Sequence, residues 1–315
     1  MLSAKEFIFA SNILNMKKIL SLFALVVVFT ISASAQLLYK ISGNGLQKPS
    51  YIVGTYHLAQ SSFVDSIPGM RNAMEVTDQV YGEMDMADMM TPENTKKLQE
   101  AMMLPEGTLQ SLLTDDELNR LNALMTDLMG FDLSNPLVAQ QMGKFTPQAL
   151  QTQLSMLLFM KRHNGFDMQN QFDSYFQQEA IKNNKPVGGF ETVDYQIDVL
   201  FKGIPMDRQK KLLMCLVDNR EFMEQMADDI INAFYSQNLN AIEDALNEKQ
   251  NNECDSSPEE ENKLIYDRNA NWIKQMPEIM ASKPTLFVVG AGHLPGDNGV
   301  LQLLRNAGYT VEGEK

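Results

Sequence analysis

Two of the three histidines in this chain of 315 residues occur in the same local pattern. Each follows a short apolar segment and lies three residues after a glycine, in Gly54-Thr55-Tyr56-His57 and in Gly290-Ala291-Gly292-His293. A glycine at the end of a strand lets the backbone turn sharply, so that the histidine projects from the carboxyl edge of a sheet. Ligands of open α/β sheets bind at that edge. We therefore expect both imidazoles to face one cleft, although 236 residues separate them.

Two glutamates end apolar segments in the same way and are candidates to share that cleft. Glu83 closes Val80-Tyr81-Gly82-Glu83, and Glu191 closes Val187-Gly188-Gly189-Phe190-Glu191. Two imidazoles with one or two carboxylates form a ligand set for Zn, Mn or Co that keeps open positions for water. The residue types therefore indicate a divalent-metal site. The structural alternative is a strand-end glutamate that only caps the next helix.

Arg268 and Asn269 begin a predicted helix that leads into the second histidine motif. A guanidinium and an amide can bind a substrate carboxylate or stabilise an oxyanion. We expect both side chains to contribute to catalysis, and a structural salt bridge is the alternative for Arg268. The sequence contains neither a Gly-x-Ser-x-Gly elbow nor a Gly-x-x-x-x-Gly-Lys-Ser/Thr loop, so neither of those two motifs supplies the chemistry.

The elements that position these residues come from both ends of the chain. Residues 37–41 and 51–53 flank a turn region and predict a hairpin, and residues 78–83 predict another strand. Residues 285–290 are uniformly apolar, as expected for a strand buried on both faces. A helix at 301–307 and a last strand at 309–311 complete this half of the prediction.

The middle of the chain has a different pattern. From about residue 91 to residue 250 apolar residues recur every three or four positions, which predicts several helices separated by Pro105, Pro136, Pro147 and Pro205. One interruption, at 185–192, resembles a short strand that ends in Glu191. We expect an α/β (or α+β) fold, with a mixed β-sheet built from the N- and C-terminal segments and a large helical insertion at about 91–250. All of it would belong to one domain that spans residues 36–315.

The first 35 residues are predicted to be a targeting segment. A basic start at Met16, a 13-residue apolar run at 19–31 and Ser-Ala-Ser-Ala before Gln36 are the parts of a secretory signal peptide. Met16 is then the expected start of translation, and a membrane anchor is the alternative. We expect the protein to be exported to the periplasm or the extracellular space, with no stable transmembrane segment after cleavage.

Charge and cysteine content exclude further classes of protein. The chain has 40 Asp and Glu against 26 Lys and Arg, a formal net charge of −14. Because nucleic-acid binding depends on clustered positive charge, no nucleic-acid partner is expected. Two cysteines, Cys215 and Cys254, are too few for a disulfide-dense scaffold or a Cys-ligated metal cluster. In an oxidising compartment they can pair with each other.

These motifs resemble the TraB/GumN family, which includes the Tiki proteins. The resemblance implies that His57 and His293 are the paired histidines of the family and that Glu83 is its acid, so that these three residues hold the metal. It also implies a metal-dependent peptidase-like fold, with Mn- or Co-supported proteolysis in the Tiki branch. Tyr56 replaces the small aliphatic residue that usually precedes the first histidine. The matching segments span nearly all of the chain after residue 35: Leu38-Tyr39-Lys40-Ile41, Pro49-Ser50-Tyr51-Ile52-Val53-Gly54-Thr55-Tyr56-His57-Leu58, Tyr81-Gly82-Glu83-Met84-Asp85, Phe190-Glu191-Thr192, Asp267-Arg268-Asn269 and Val288-Val289-Gly290-Ala291-Gly292-His293-Leu294-Pro295-Gly296.

The sequence therefore predicts an exported metal-dependent hydrolase that cleaves peptide bonds in a peptide or protein substrate. Glu191 would accept the proton of a metal-bound water, and Arg268 would stabilise the developing oxyanion. Two alternatives stay open. The same edge can be a non-catalytic module that binds haem or a peptide, with His57 or His293 as an axial haem ligand. The acidic helical insertion can instead be a surface that binds a partner protein.

Overall fold

The computed structural model describes residues 36–315 except residues 164, 165 and 168, so the expected signal peptide lies outside the described residues. A mixed sheet has the strand order β4-β3-β5-β2-β1-β6. β2, β3, β4 and β5 run parallel, and β1 pairs antiparallel with both β2 and β6. The strands are β1 (Leu38–Gly43), β2 (Ser50–Thr55), β3 (Gln79–Gly82), β4 (Val187–Gly189), β5 (Thr285–Gly290) and β6 (Tyr309–Gly313).

This sheet confirms the predicted fold class. β1, β2, β5 and β6 come from the two ends of the chain, and the predicted hairpin is the β1–β2 pair. β4 comes from the interruption of the helical region, where the sequence predicts a short strand. β5 lies between β2 and β3, and its residues Leu286 to Val289 are buried, which explains their uniformly apolar character.

The register of the parallel strands sets the position of the site. Thr55 of β2 lies opposite Gly290 of β5, and Gly82 of β3 lies opposite both Val288 of β5 and Gly189 of β4. The four strands therefore end at nearly the same level on one edge. The next one to three residues of the chain supply the candidate side chains, which are His57, Glu83, Glu191 and His293.

Helices account for most of the remaining described residues. Pro136 and Pro147 each open a helix after a capping residue, and Pro205 precedes another, as the sequence predicts. Two short 3-10 segments (Ser61–Ser66, Ala291–His293) and two π segments (Asp198–Lys202, Asn262–Tyr266) occur among them. The α-helices are α1 (Met70–Val76), α2 (Met86–Met89), α3 (Pro92–Ala101), α4 (Leu109–Leu112), α5 (Asp115–Met129), α6 (Pro136–Met142), α7 (Pro147–Arg162), α8 (Phe172–Lys182), α9 (Val193–Ile197), α10 (Met206–Asp218), α11 (Arg220–Tyr235), α12 (Leu239–Leu246), α13 (Pro258–Glu261), α14 (Asp267–Ser282) and α15 (Val300–Asn306).

The buried apolar residues form two main clusters. The larger cluster packs the sheet against its flanking helices and includes Phe172, Phe234, Trp272 and Phe287. A second cluster lies within the helical region, where residues such as Leu121 pack together from α4, α5, α7 and α10. The amphipathic spacing seen in the sequence is therefore used to build a helical core of its own. The assignment of residues 36–315 to one domain with an insertion stays a prediction.

Cys215 and Cys254 form a disulfide, which is the pairing that the sequence allowed. The bond joins α10 to the loop between α12 and α13. In the part of the chain that the structure describes, every α-helix is too short or too polar to span a membrane.

Candidate active site

The two glycines of the histidine motifs allow close packing at the edge of the sheet. Both lie within strands and neither has a positive φ, so a sharp turn does not explain them. A Cβ atom at Gly54 would lie 3.0 Å from the Cα of Ala291, so the first motif packs directly on the second. A Cβ atom at Gly290 would lie 3.2 Å from Oε1 of Glu83. Gly54 therefore leaves room for the backbone of Ala291, and Gly290 leaves room for the carboxylate of Glu83.

Glu83 is held at this edge by the backbone and by a cation. The N–H of Gly290 donates to its Oε1 at 2.8 Å, and Nη2 of Arg268 donates to its Oε2. Burial raises the pKa of Glu83, but the charges of His293 and Arg268 and the Gly290 N–H lower it to about 2. Since His293 is uncharged near neutral pH, Arg268 and the protonated His57 are the cations that keep Glu83 ionised there.

Arg268 lies at the start of α14 and forms ion pairs with two carboxylates. Its Nε and Nη2 donate to the two oxygens of Glu191 at 2.8 and 2.9 Å, and Nη2 also donates to Glu83. Its Nη1 donates to the carbonyl of Leu264 at 3.1 Å and lies 3.2 Å from Nε2 of His293. The Arg268 side chain is only 6% exposed, so the guanidinium is a buried charge whose place is fixed by its partners.

His293 is a buried, neutral imidazole. Nδ2 of Asn269 donates to the carbonyl oxygens of His293 and Asn298, so Oδ1 of Asn269 faces the ring, 2.7 Å from Nδ1. An amide oxygen only accepts, which places the ring proton on Nδ1 and leaves a lone pair on Nε2. Burial lowers the pKa of His293 to about 4. The predicted site residue Asn269 thus orients His293 directly.

His57 lies at the same edge in a different environment. Its side chain is 77% exposed, and Nδ1 lies 2.8 Å from Oδ2 of Asp173, which belongs to α8. The charge and the hydrogen bond of Asp173 raise the pKa of His57 to about 9. No local sequence signal identifies Asp173, because 116 residues separate it from His57.

Glu191 is saturated with hydrogen bonds. Besides the two bonds from Arg268, it accepts one from Nε1 of Trp272 at 2.7 Å and one from Nε2 of Gln196 at 2.8 Å. Its side chain is 5% exposed. Each of its oxygens therefore faces donors of the protein.

Trp272 is a further residue of the site that sequence reasoning did not find. Its indole lies 4.4 Å from the ring of His293, and the guanidinium carbon of Arg268 lies 5.1 Å from the indole centroid. The residue is 1% exposed. Its position four residues after Arg268, on the same face of a helix, was the signal that could have identified it.

The donor chemistry of Glu83 and His293 fits a divalent cation. Glu83 is ionised, and its Oε1 lies 3.9 Å from the lone-pair nitrogen of His293. Two ligands that each lie about 2.0–2.2 Å from one ion are separated by at most about 4.4 Å. The described residues contain no preformed cluster of three or more His, Cys, Asp or Glu side chains with metal-ligand spacing. The complete set of His57, Glu83 and His293 therefore stays a prediction.

Similar proteins include several that are named metalloproteases. Metalloprotease TIKI1 of Homo sapiens is 28% identical, with 84% of this chain and 59% of the human protein covered. Metalloprotease TIKI2 of Danio rerio is 25% identical and covered over 58% of its length, and the Metalloprotease TIKI homolog of Nematostella vectensis is 21% identical and covered over 64%. The chain thus spans less than two thirds of the length of these relatives.

No solved structure matches the chain. The sequence model of one family does match, and it covers residues 37–313, which include all six strands and every candidate site residue. The protein belongs to the TraB/PrgY/gumN family.

Proposed function

We propose that the protein is an exported, metal-dependent hydrolase that cleaves peptide bonds. The observation that carries the proposal is the pair formed by ionised Glu83 and the unprotonated Nε2 of His293, 3.9 Å apart at the ligand-binding edge of the sheet. The metalloprotease names of the relatives support a metal and a peptide or protein substrate.

His57, Glu83 and His293 would hold the metal, which is Mn, Co or Zn in this proposal. Such an ion lowers the pKa of a bound water toward neutrality. The protein supplies the positions of the donors. Asn269 fixes the lone pair of His293 on Nε2, where Arg268 Nη1 would have to give way to the metal, and the Gly290 N–H together with Arg268 fixes the carboxylate of Glu83.

Arg268 would stabilise, through its charge, the oxyanion that forms when a peptide carbonyl is attacked. Its N–H groups already face Glu83, Glu191, Leu264 and His293, so a direct hydrogen bond to the oxyanion would require Nη1 to leave Nε2 of His293. Its charge is already buried, and its orientation is set before a substrate arrives. Glu191 holds that guanidinium with two parallel hydrogen bonds and is itself held by Trp272 and Gln196. To accept a proton from water, Glu191 would have to give up one of these bonds. We therefore assign Glu191 the role of fixing Arg268 in place.

Export is supported by two independent features. Residues 16–35 have the composition of a secretory signal peptide, and the disulfide between Cys215 and Cys254 is typical of an oxidising compartment. Peptides or proteins in the periplasm or the extracellular space are then the proposed substrates.

The proposal is tested with purified protein that begins at Gln36. We expect it to bind Mn²⁺, Co²⁺ or Zn²⁺, to cleave members of a peptide library, and to lose this activity with a chelator and regain it with metal. Glu83→Gln should abolish cleavage, whereas Glu100→Gln, a matched change at an exposed glutamate, should not.

Two results would count against this function. Cleavage that persists in the presence of a chelator, in protein that retains no metal, would exclude the metal-dependent reaction. Protein that cleaves no peptide but gives a haem Soret band that is lost in His57→Ala would support the ligand-binding alternative instead.

A further inference from the structure

The ion pair of His57 and Asp173 joins the edge of the sheet to the helical region. We propose that Asp173 is a positioning residue that holds the Nδ1–H of His57 and thereby presents Nε2 as the nitrogen that binds the metal. This inference rests on the proposed function, because it assigns to Asp173 the positioning of His57, one of the three proposed metal ligands.

Backbone hydrogen bonds hold the segments of His57 and Asp173 next to each other. Gln60 and Gln171 form an isolated antiparallel bridge, and the N–H of Phe172 donates to the carbonyl of Ala59 at 3.0 Å. The N–H of Ser61 donates to the carbonyl of Asn170 at 2.8 Å. The loop that follows His57 is therefore paired with the chain that leads into Asp173.

Aromatic packing beside Asp173 stabilises the contact between the same two segments. Phe172, the neighbour of Asp173, is 0% exposed and lies 5.1 Å from Phe176 and 5.5 Å from Phe234, measured between ring centroids. The side chain of Asp173 is 22% exposed, whereas that of His57 is 77% exposed. The carboxylate is thus partly shielded, and the ring that it holds reaches the solvent side of the edge.

The arrangement repeats the one at the second histidine. Nδ1 of His293 is held by Oδ1 of Asn269 at 2.7 Å, and Nδ1 of His57 is held by Oδ2 of Asp173 at 2.8 Å. In both rings Nδ1 is the nitrogen held by this partner, and Nε2 is the other nitrogen; Nε2 of His293 accepts from Nη1 of Arg268 at 3.2 Å. Metal-ligating histidines almost always donate their other ring N–H to a carboxylate or carbonyl in this way, which fixes the tautomer and the ring orientation.

The test compares Asp173→Ala and Asp173→Asn with the wild type in two measurements. The first is the affinity of the metal-free protein for Co²⁺, followed by visible absorption. We expect Asp173→Ala to bind Co²⁺ about 10–100-fold more weakly, as is usual when such a partner is removed. Asp173→Asn keeps an oxygen acceptor for Nδ1–H and should recover most of that affinity.

The second measurement is the tautomer of His57 in the metal-free protein, read from ¹⁵N NMR above the pKa of its ring. The chain has three histidines, so the signals can be assigned by substitution. The proton should lie on Nδ1 in the wild type and in Asp173→Asn, and should move to Nε2 in Asp173→Ala. Asp228→Asn is the matched control, because Asp228 pairs with His163 within the helical region and should change neither measurement for His57.

The two measurements separate the inference from the function on which it rests. A tautomer and a Co²⁺ affinity that are unchanged in Asp173→Ala would overturn the role of Asp173. Wild-type protein that binds no Co²⁺ would refute the metal site, and the tautomer would still decide whether Asp173 orients His57. The NMR spectrum of Asp173→Ala also shows whether that variant is folded, so loss of folding is not mistaken for loss of the contact.

Discussion

At the level of single residues, the two histidines follow equivalent strand ends but differ in charge near neutral pH. Asp173 raises the pKa of His57 to about 9, whereas burial lowers that of His293 to about 4. His293 therefore has a lone pair on Nε2 without losing a proton, although Nη1 of Arg268 has to release it, while His57 has to lose a proton first. Metal binding should accordingly release a proton and weaken as the pH falls.

The depressed pKa of His293 predicts how stability depends on pH in the metal-free protein. Because the folded state resists protonation of this ring, the unfolded state binds more protons between pH 6.5 and about 4. The free energy of unfolding should fall as the pH is lowered through that window, by at most about 1.4 kcal/mol per pH unit from this group. Urea unfolding at a series of pH values measures the slope.

Two variants identify the group responsible. His293→Gln should flatten the slope between pH 6.5 and 4.5, while His163→Gln, at a helix end outside the site, should leave it unchanged. Below pH 4.5 the loss of stability should continue in His163→Gln, because the folded state also resists protonation of Glu83, whose pKa is lowered to about 2. An identical slope in wild type and His293→Gln would contradict the buried neutral ring.

If His57 and His293 bind one ion, their substitutions should not be additive. Either change to Ala should abolish productive coordination, since three protein ligands are about the minimum for a catalytic site. The double variant should then lose little more activity than the worse single variant. In thermal unfolding, the destabilisation by His57→Ala should appear only when metal is present, because the exposed ring contributes through ligand binding. Losses that add up and ignore metal would indicate two separate structural histidines.

How far the sequence predicts these residues depends on how local their signals are. The strand-end motifs were visible because each glycine, histidine or glutamate follows an apolar run within a few positions. Asp173 could not be found in this way, since its pairing with His57 depends on a bridge between distant segments. The prediction that Gly54 is needed for a sharp turn was also wrong. Gly54 instead permits close contact with Ala291, and that contact exists only in the folded sheet.

At the level of elements, α14 brings three functions to one end of a helix. Arg268 forms ion pairs with Glu83 and Glu191. Asn269 orients His293, and Trp272 donates a hydrogen bond to Glu191. The chain that leads into this helix is held by the disulfide between Cys215 and Cys254 and by Arg208, which donates to the carbonyl of Asp255 at 2.7 Å. The covalent link therefore lies only a short distance in sequence from the guanidinium of the site.

Removal of this disulfide should cost about 3–4 kcal/mol of unfolding free energy in the chain-entropy model, because the paired cysteines are 39 positions apart. Urea unfolding of the Cys215→Ser/Cys254→Ser variant against the oxidised wild type measures the difference. Reduced wild-type protein is the control and should match the variant. Two free thiols in the denatured, unreduced protein would show that the bond does not form.

The positions of the helices and strands in the sequence were more predictable than the pairing of the strands in the sheet. The pattern of apolar residues along the chain separates strands from helices, and β5, α15 and β6 were found within two residues of their observed bounds. The parallel pairing of β3 with both β4 and β5 has no such signal, because the segments that pair are far apart in the chain. That pairing is what brings Glu83 and Glu191 to one cation.

At the level of the whole molecule, the expected export makes a direct prediction about the N-terminus. Cleavage after Ala35 should give a mature protein that begins at Gln36. Mass spectrometry of protein recovered from the periplasm or the medium measures the terminus.

The cleavage site can be tested with one substitution on each side of it. Ala35→Leu should block cleavage, because a signal peptide ends in small residues. Gln47→Leu, at an exposed position beyond the cut, is the control and should leave cleavage unchanged. Intact wild-type protein that begins at Met16 would contradict the signal peptide.

Trp272 is the only tryptophan of the chain, and it is buried against Glu191, Arg268 and His293. The intrinsic tryptophan emission of the entire protein therefore originates within a few ångströms of the candidate site, so the protein carries its own optical probe. Titration with paramagnetic Mn²⁺ or Co²⁺ should quench this emission, and Trp272→Phe should abolish the signal. Emission that stays constant at saturating metal would place the bound ion away from His293.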